Sequence, residues 1–436
     1  MLLYADQNVL APNLSAVAEE FGFDEQEKDT HLGGDCTLAF YAFGAPASLI
    51  VGWMADTVDR RKLFVAIAMF GGLGALATVF CTTFAQFWWT RAMTGIAIGG
   101  GMPLVFSMLA DLVDSSGRAE ASGMVNNSFA VGMGVGQMIG GFTSSSTELG
   151  WRLPFLLVAL PCLALTALVG IATRDPARGR QEAALQEHFK AGGEYSERIT
   201  PKGVRMLASS PTVVLMILQG IPGSLPWGVI SIFLPDFLHQ QRGLSIESAT
   251  LIILMFVAGT ITGTLLGARL GQKLYSRGVR LQTLFMGTTT IAGVLPCIML
   301  LRWTGGGVGL YSLFAITGGF LASMTGPNTR SVLMNATIPS TRGTAFGAIH
   351  LFDELGKGLG PLVVSRMAAR MGRETAFTAA MMGWLVCGTI ILVMIPTVQQ
   401  DEQKVQLYLA EYGQQMSDAR LRASKEAKLV EVVQLR

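Results

Sequence analysis

Long apolar segments alternate with short polar loops along almost the whole of this 436-residue chain. A helix that crosses a bilayer needs about 20 mostly apolar residues. Windows of this kind predict twelve spans, numbered here in chain order: 2–18, 34–54, 63–82, 88–111, 119–141, 152–173, 211–237, 248–272, 282–301, 307–333, 343–367 and 375–396. The first is short and polar around Asp6, and it is counted on its position. The pattern therefore predicts an all-α protein that crosses the membrane many times.

The composition supports a membrane protein and excludes several other classes. Half of the residues are hydrophobic and 14% are charged, whereas soluble proteins carry about 25% charged residues. The net charge of +2 gives no reason to expect a nucleic-acid partner. The five cysteines show no paired spacing, and the sequence contains no phosphate-binding loop or nucleophile elbow. We therefore expect no metal, no cofactor and no catalytic residues, and neither an enzyme nor an ATP-driven pump.

Basic residues collect in the loops on one side of the predicted bilayer. Because lysine and arginine beside spans stay in the cytoplasm, this side, which we call the basic face, is predicted to be cytoplasmic. It carries the loops near residues 60–62, 118, 174–205, 273–280 and 342. Both termini of the full-length protein are expected there, with Met1 inside an incomplete first span. The sequence leaves open whether the membrane is the plasma membrane or that of an endolysosomal organelle.

An internal repeat divides the chain into two halves. Arg118-x-x-Ala-x-Gly begins the fifth predicted span, and Arg342-x-x-Ala-x-Gly begins the eleventh, 224 residues later. Parallel repeats of six helices are typical of one large class of secondary transporters. We expect a six-helix bundle over 1–173, a cytoplasmic linker over 174–210, a second six-helix bundle over 211–397 and a partly helical cytoplasmic tail over 398–436.

The loop from Gly52 to Lys62 carries the most specific motif. It contains Gly52-x-x-x-Asp56-x-x-x-Arg60-Arg61, which resembles the signature loop of the major facilitator superfamily. The resemblance implies two six-helix bundles around a central cavity. It also implies a conformational latch in which Asp56 meets the N-terminus of the eleventh span and a basic residue meets an acid ending the fourth span. The latch residues are then Gly52, Asp56, Arg60, Arg61 and Asp111.

The fourth span carries an arginine within an apolar helix. Arg91-x-x-x-Gly95-x-x-x-Gly99 resembles the superfamily's fourth-helix motif, whose arginine is often tied to proton coupling. An ionisable residue inside a membrane is costly and usually functional, and Asp6 is the candidate partner. We expect Asp6 and Arg91 to couple transport to protons. The alternatives are that Arg91 reaches the interface or that the two form a static buried pair.

The eleventh span places His350, Asp353, Glu354 and Lys357 in the middle of an apolar helix. Asp353 and Lys357 are four residues apart and are expected to pair, with Glu354 left to find another partner. We predict that this charged stripe lines the substrate cavity. Polar residues of other spans are further cavity candidates, although each could equally be a contact between helices: Gln219, Asn127 and Asn328.

Within the superfamily the chain resembles spinster-like transporters. The matching segments lie in the N-terminal half: Leu3-Tyr4-Ala5-Asp6-Gln7, the Gly52–Lys62 loop, Thr90-Arg91-x-x-x-Gly95, Trp151-Arg152-Leu153-Pro154-Phe155 and Arg174-Asp175-Pro176-Ala177-Arg178-Gly179. The family exports lipids such as lysophospholipids and sphingosine phosphates. The chain departs from it at Gln7, where the family has arginine, and at Gly100-Gly101-Met102, which lacks the family's acid.

These patterns predict a secondary active or facilitative transporter that works by alternating access. We expect proton coupling, an amphipathic anionic substrate such as a lysophospholipid or sphingolipid, and a monomer in the lipid bilayer. One alternative is a carrier of a small polar solute, a sugar or an organic acid. The other is a transporter-shaped sensor, which the intact latch loop disfavours because a sensor does not need to cycle.

Overall fold

Membrane-length helices make up most of the protein. The computed structural model describes residues 1–24, 27–143 and 149–434. The helices that correspond to the predicted spans are, in order, Leu2–Val9 with Leu14–Phe21, Cys36–Thr57, Arg60–Thr78, Phe84–Leu112, Arg118–Thr143, Arg152–Ala172, Pro211–Leu218 with Gly220–Arg242, Ile246–Tyr275, Val279–Arg302, Val308–Ser323 with Thr325–Asn335, Arg342–Met371 and Arg373–Val393. The prediction of an all-α membrane fold is confirmed.

Three spans are more polar than the rest. Within the described residues nine helices are long and apolar enough to cross a membrane, and the first, fifth and eleventh spans are not among them. The first span is divided by a short 3-10 turn at Ala11–Asn13, where Pro12 has no N–H to continue an α-helix. Polar membrane helices face protein or a water-filled space rather than lipid. The polar faces of these three spans are therefore expected to turn toward protein or water, while apolar side chains such as Phe142 and Leu362 stay on the outside.

The second and eleventh spans join the two halves backbone to backbone. Gly52 and Gly343 approach so closely that a Cβ on either would overlap the other's carbonyl oxygen. Gly347 lies one turn further along, against the carbonyl of Ser48, whose hydroxyl donates to the carbonyl of Gly347. Glycine permits such close crossings in membrane proteins. The repeated glycines thus close the basic face between the halves.

The linker and the tail form a small structured layer on the basic face. The linker contains Ala183–Leu185, Gln186–Lys190 and Pro201–Ser209, and the tail is one helix, Ile395–Gln434. A hydrophobic cluster joins them: Leu185, Tyr195, Ile338, Val405 and Leu409 are all buried. Tyr408 of the tail also donates a 2.5 Å hydrogen bond to Glu197 of the linker. The tail, expected to be partly helical, is helical throughout its described length.

Replacing Gly52 with alanine should weaken the crossing of the second and eleventh spans. The added methyl would overlap the Gly343 backbone, and overpacking of this kind costs about 1–3 kcal/mol. We expect Gly52→Ala to lower the melting temperature of the purified protein by several degrees. Gly101→Ala is the matched control, because no heavy atom lies within 4 Å of the position its Cβ would take. Equal melting temperatures for both variants would contradict the close crossing.

Candidate functional site

Asp56 caps the eleventh span across the interface between the halves. It ends the second span, is fully buried, and accepts hydrogen bonds from the backbone N–H groups of Gly343 at 2.8 Å and Thr344 at 2.7 Å. The hydroxyl of Thr344 donates a third, at 2.7 Å. A carboxylate at a helix N-terminus satisfies the unpaired N–H groups and interacts favourably with the helix dipole. Asp56 therefore ties the two halves together at the basic face.

Asp111, at the end of the fourth span, binds two arginines from different halves. Arg60 donates from Nη1 to Asp111 Oδ2 at 2.6 Å, and Arg342 donates from Nη1 to Asp111 Oδ1 at 3.1 Å. Arg60 also donates to Asp175 of the linker at 3.2 Å. Arg60, Asp111 and Arg342 are at most 1% exposed. This buried pairing joins the third, fourth and eleventh spans.

Glu182 of the linker completes the network, and the sequence analysis did not identify it. Its Oε1 accepts from Arg118 Nη2 at 2.6 Å and from Arg342 Nη2, and its Oε2 accepts from Gln406 of the tail at 2.9 Å. Burial raises the pKa of Glu182, but the attraction of Arg342 and Arg118 and their hydrogen bonds outweigh burial and hold this pKa at about 2. Glu182 is therefore ionised throughout the physiological pH range.

Arg61, expected in the latch, lies outside this network. It donates instead to the backbone carbonyl of Gly170, at the end of the sixth span. Arg178 of the linker joins the network instead. Its Nη2 donates to the carbonyl of Val58 at 3.1 Å, and its Nη1 lies 3.9 Å from Asp56 Oδ1. Adjacent residues on a helix point about 100° apart, so Arg60 and Arg61 cannot both face the bundle interior.

Asp6 and Arg91 lie together inside the N-terminal half. Arg91 Nη1 is 3.2 Å from Asp6 Oδ2, and Nη2 donates to the hydroxyl of Thr78 at 2.7 Å. The guanidinium lies 4.9 Å from the ring centre of Phe155 and 5.4 Å from that of Phe87. Asp6 Oδ1 is buried and has no hydrogen-bond partner among the described residues. The carboxylate thus keeps one free oxygen in an otherwise apolar surrounding.

The charged stripe of the eleventh span pairs differently from the expectation. Lys357 Nζ donates to Glu354 Oε1 at 2.8 Å, and Asp353 instead accepts from Arg330 of the tenth span at 2.8 Å. The predicted Asp353–Lys357 pair is therefore wrong. On a helix, Lys357 neighbours both Glu354, three residues away, and Asp353, four residues away. Because Asp353 pairs with Arg330, Lys357 pairs with Glu354. His350 lies beside the Glu354–Lys357 pair, with Nε2 3.8 Å from Glu354 Oε1.

Aromatic residues of the N-terminal half face this stripe. The phenol groups of Tyr4 and Tyr41 are close enough to Lys357 and Glu354 to interact electrostatically. Tyr4 stacks on Phe129 of the fifth span, with ring centres 4.5 Å apart. The Lys357 side chain is 37% exposed, so solvent reaches it. We call Arg330, Asp353, Glu354 and Lys357, with Tyr4 and Tyr41, the central cluster.

The polar candidates of other spans make contacts between or along helices. Asn328 is fully buried, donates to the carbonyl of Gly267 at 2.9 Å and accepts from Gln282 at 2.9 Å. Gln219 accepts from the thiol of Cys387 at 3.1 Å. Neither residue belongs to the central cluster, and their assignment to the cavity stays a prediction. Asn127 is half-buried, and its assignment also stays a prediction.

Comparison with known families identifies the fold. A family model described as the Major Facilitator Superfamily matches residues 1–361. The chain belongs to this superfamily. Its members are transporters, which confirms the expectation of a transporter and not an enzyme. The chain is therefore an integral, multi-pass membrane protein of the major facilitator fold.

Individual relatives are distant but cover most of the chain. The "Probable 4-methylmuconolactone transporter" of Cupriavidus pinatubonensis is 25% identical over 302 residues, covering 65% of this chain and 67% of the relative. The 3-(3-hydroxy-phenyl)propionate transporter of Escherichia coli is 23% identical over 356 residues, covering 80% and 81%.

Solved structures share the fold at low identity. The human organic anion transporter MFSD10 matches with a TM-score of 0.66 and 17% identity, covering 89% of this chain and 96% of that one. A bacterial homologue of the human lysosomal transporter spinster, in an inward-facing and occupied conformation, matches with a TM-score of 0.57 and 16% identity, covering 92% and 95%. These structures confirm the expected fold, and the family match confirms the superfamily.

Removing the Glu182 carboxylate should loosen the closed basic face. Glu182→Gln leaves Arg118 and Arg342 with one carboxylate fewer, and breaking a buried ion pair costs about 3–5 kcal/mol. We expect a lower melting temperature and, in a Thr344→Cys background that keeps the backbone bond of residue 344 to Asp56, faster alkylation than in Thr344→Cys alone. Glu187→Gln changes an exposed residue of the same linker and should match the parent protein. Unchanged alkylation in Glu182→Gln would show that Glu182 does not hold this face.

The pH dependence of the closed face follows from the same carboxylate. Because the pKa of Glu182 falls from 4.5 to about 2 on burial beside the arginines, its contribution is fully present above its ordinary pKa. It is lost only as the pH falls through about 2. Alkylation at position 344 should therefore show no Glu182-dependent change between roughly pH 5 and pH 8. A difference between Glu182→Gln and the parent that vanishes at pH 5 would contradict this.

Proposed function

We propose that this protein is a secondary transporter of small organic anions that works by alternating access and moves protons with its substrate. The central cluster is the observation that carries the proposal. It presents two cations, Arg330 and Lys357, each paired with a carboxylate, beside tyrosines from the opposite half. An anion that enters between the halves meets positive charge on one side and aromatic rings on the other. The relatives that carry organic anions support this substrate class.

The latch sets which side of the membrane the cavity faces. Asp56, Asp111 and Glu182 hold the two halves together at the basic face, so substrate in this state enters from the opposite face. Opening the basic face requires these groups to separate and be hydrated. Because that cost is large for buried charges, we propose that substrate binding in the central cluster supplies part of the free energy for the switch.

Asp6 and Arg91 are proposed to carry the coupling proton. In the closed-latch state the guanidinium of Arg91 lies 3.2 Å from the carboxylate of Asp6. A carboxylate that moves away from its cation in a dry environment favours the protonated form. The free Oδ1 of Asp6 leaves a position for that proton. Movement of the first span relative to the fourth would thus load the proton in one state and release it in the other.

Transport driven by a pH gradient tests the coupling pair. In proteoliposomes with an acidic exterior, we expect the parent protein to accumulate labelled 3-(3-hydroxyphenyl)propionate. Asp6→Asn should lose accumulation by at least about tenfold, because it cannot release a proton, while exchange of labelled for unlabelled substrate continues. Glu374→Gln, which removes a carboxylate paired with Arg242 elsewhere in the C-terminal half, is the control. Full accumulation by Asp6→Asn would reject this pair as the coupling site.

An amphipathic lipid anion is the second candidate substrate. The first-span and fourth-span motifs resemble spinster-like transporters, and a bacterial spinster homologue shares the fold. Uptake assays with labelled lysophosphatidate in the same proteoliposomes distinguish the two classes. Accumulation of lysophosphatidate without uptake of small organic anions would favour the lipid and reject the first proposal.

A further inference from the structure

Arg330 is half-buried and has fewer partners than the buried arginines of the basic face. Its recorded side-chain partners among the described residues are Asp353 at 2.8 Å and the ring of Phe106, 5.5 Å from the guanidinium. Arg342, by contrast, is fully buried and binds Asp111, Glu182 and a backbone carbonyl. A guanidinium has five N–H donors that suit a carboxylate's two oxygens. Within the described part of the chain, Arg330 is therefore held by a single carboxylate, whose place another carboxylate could take.

Asp353 is held loosely as well. The side chains of Arg330 and Asp353 are 14% and 15% exposed, so water reaches both. The other oxygen of Asp353 faces the seventh span, where a Cβ on Gly220 would lie 3.0 Å from Oδ1. Gly220 begins the second helix of that span, directly after the break at Gln219. The carboxylate therefore contacts a discontinuous span on one side and Arg330 on the other.

We infer that Asp353 occupies the position of the substrate's carboxylate on Arg330, and that an incoming carboxylate displaces it while Asp353 takes up one proton. The inference rests on the proposed transport of organic anions and identifies the residue that binds them. Net charge at the site is then unchanged, since one anion arrives together with one proton. The displaced carboxylate leaves its cation without adding an uncompensated charge to the membrane interior.

Neighbouring groups leave Asp353 few alternatives to protonation. The other cation of the cluster, Lys357, is already bound to Glu354, and His350 also lies against Glu354. The seventh span offers Gln219, whose side-chain oxygen accepts from Cys387 of the twelfth span. The first and second spans contribute the phenols of Tyr4 and Tyr41. Because these groups supply no free cation, a displaced Asp353 is stabilised by a proton from the water in the cavity.

The surroundings also indicate the body of the substrate. Phe106, which lies 5.5 Å from the guanidinium of Arg330, and Phe346 are only 1% and 2% exposed and belong to the core behind the arginine. Tyr4 and Phe129 form a stacked pair that is half-buried and partly accessible. Flat apolar groups pack well against such rings. The ligand class is therefore a monocarboxylate that carries an aromatic or similarly flat apolar group, for which 3-phenylpropionate is a suitable probe.

Equilibrium binding of labelled 3-phenylpropionate to the purified protein tests this inference. In the pH range where the probe is ionised, binding that takes up one proton weakens by about tenfold for each unit by which the pH is raised. We expect this dependence in the parent protein. Asp353→Asn removes the competing carboxylate and the proton site, so it should bind at least about tenfold more tightly at high pH and show no pH dependence. Asp353→Asn with the parent's pH dependence would overturn the inference.

Further variants and probes separate this inference from its alternatives. The double variant Arg330→Gln/Asp353→Asn keeps the site neutral, so it should fold and yet fail to bind the probe; normal binding would overturn the role of Arg330. Glu374→Gln should bind as the parent does. The uncharged analogue 3-phenylpropan-1-ol should not compete, and its equal competition would reject a carboxylate site. Asp6→Asn should keep the pH-dependent binding although its gradient-driven accumulation falls, because the proton taken up at Asp353 is separate from the one proposed at Asp6. Loss of the pH-dependent binding in Asp6→Asn would assign that proton to Asp6 and overturn the inference.

Discussion

Buried charge at the basic face is the constraint on which the rest of the structure depends. Three carboxylates and four guanidinium groups there are at most 8% exposed: Asp56, Asp111 and Glu182 with Arg60, Arg118, Arg178 and Arg342. Taking an ion out of water costs several kcal/mol unless a partner replaces the lost hydration. The closed arrangement is one in which all of these groups find partners, drawn from both halves and the linker. A partial opening would expose unmatched charges, so this face is expected to open as a unit.

The central cluster follows the opposite principle. Arg330 and Lys357 each form one ion pair with a carboxylate among the described residues, and the Lys357 side chain is 37% exposed. Partly solvated pairs are worth much less than fully buried ones, and they can exchange partners at little cost. In the proposed transport cycle the two kinds of pair have different roles. The stable network would keep one face closed until the substrate binds, and the loose pairs would allow an external anion to compete with an internal one.

The sequence predicted the parts of this structure that depend on local pattern. Apolar windows located the spans, the Gly52–Arg61 motif located the latch loop, and the rarity of charge in a membrane suggested that Asp6 and Arg91 are partners. The sequence did not predict the role of a residue that already had a plausible local explanation. Glu182 was interpreted as one of several charges in a polar linker, although the repeated arginines Arg118 and Arg342 both lacked a counter-ion. Arg330, unpaired within an apolar window, was the available signal that Asp353 had a partner other than Lys357.

The buried amides Asn328 and Gln219 illustrate the same limit. Asn328 and Gln219 satisfy neighbouring helices, because in lipid a polar side chain gains as much from a backbone carbonyl or thiol nearby as from a cavity. The spacing of such amides along the chain does not show whether each one contacts a neighbouring helix or the cavity. Charged residues are more informative, since a buried charge requires an opposite charge and the number of candidates is small.

Glu182 also determines how the linker takes part in the conformational change. It bonds to Arg118 of the N-terminal half and to Arg342 of the C-terminal half, so it can stay with only one of them when the halves separate at this face. Arg342 would then lose Asp111 as well, because Asp111 ends the fourth span. Arg118 keeps the carbonyl of Ala110 within its own half. Arg342 likewise keeps the carbonyl of Met334, so whichever arginine Glu182 leaves has, among the described residues, only backbone carbonyls in place of its carboxylate. Leaving a buried cation without its anion is costly, and the linker therefore opposes opening whichever half it follows. Gln406 attaches the tail to the same carboxylate.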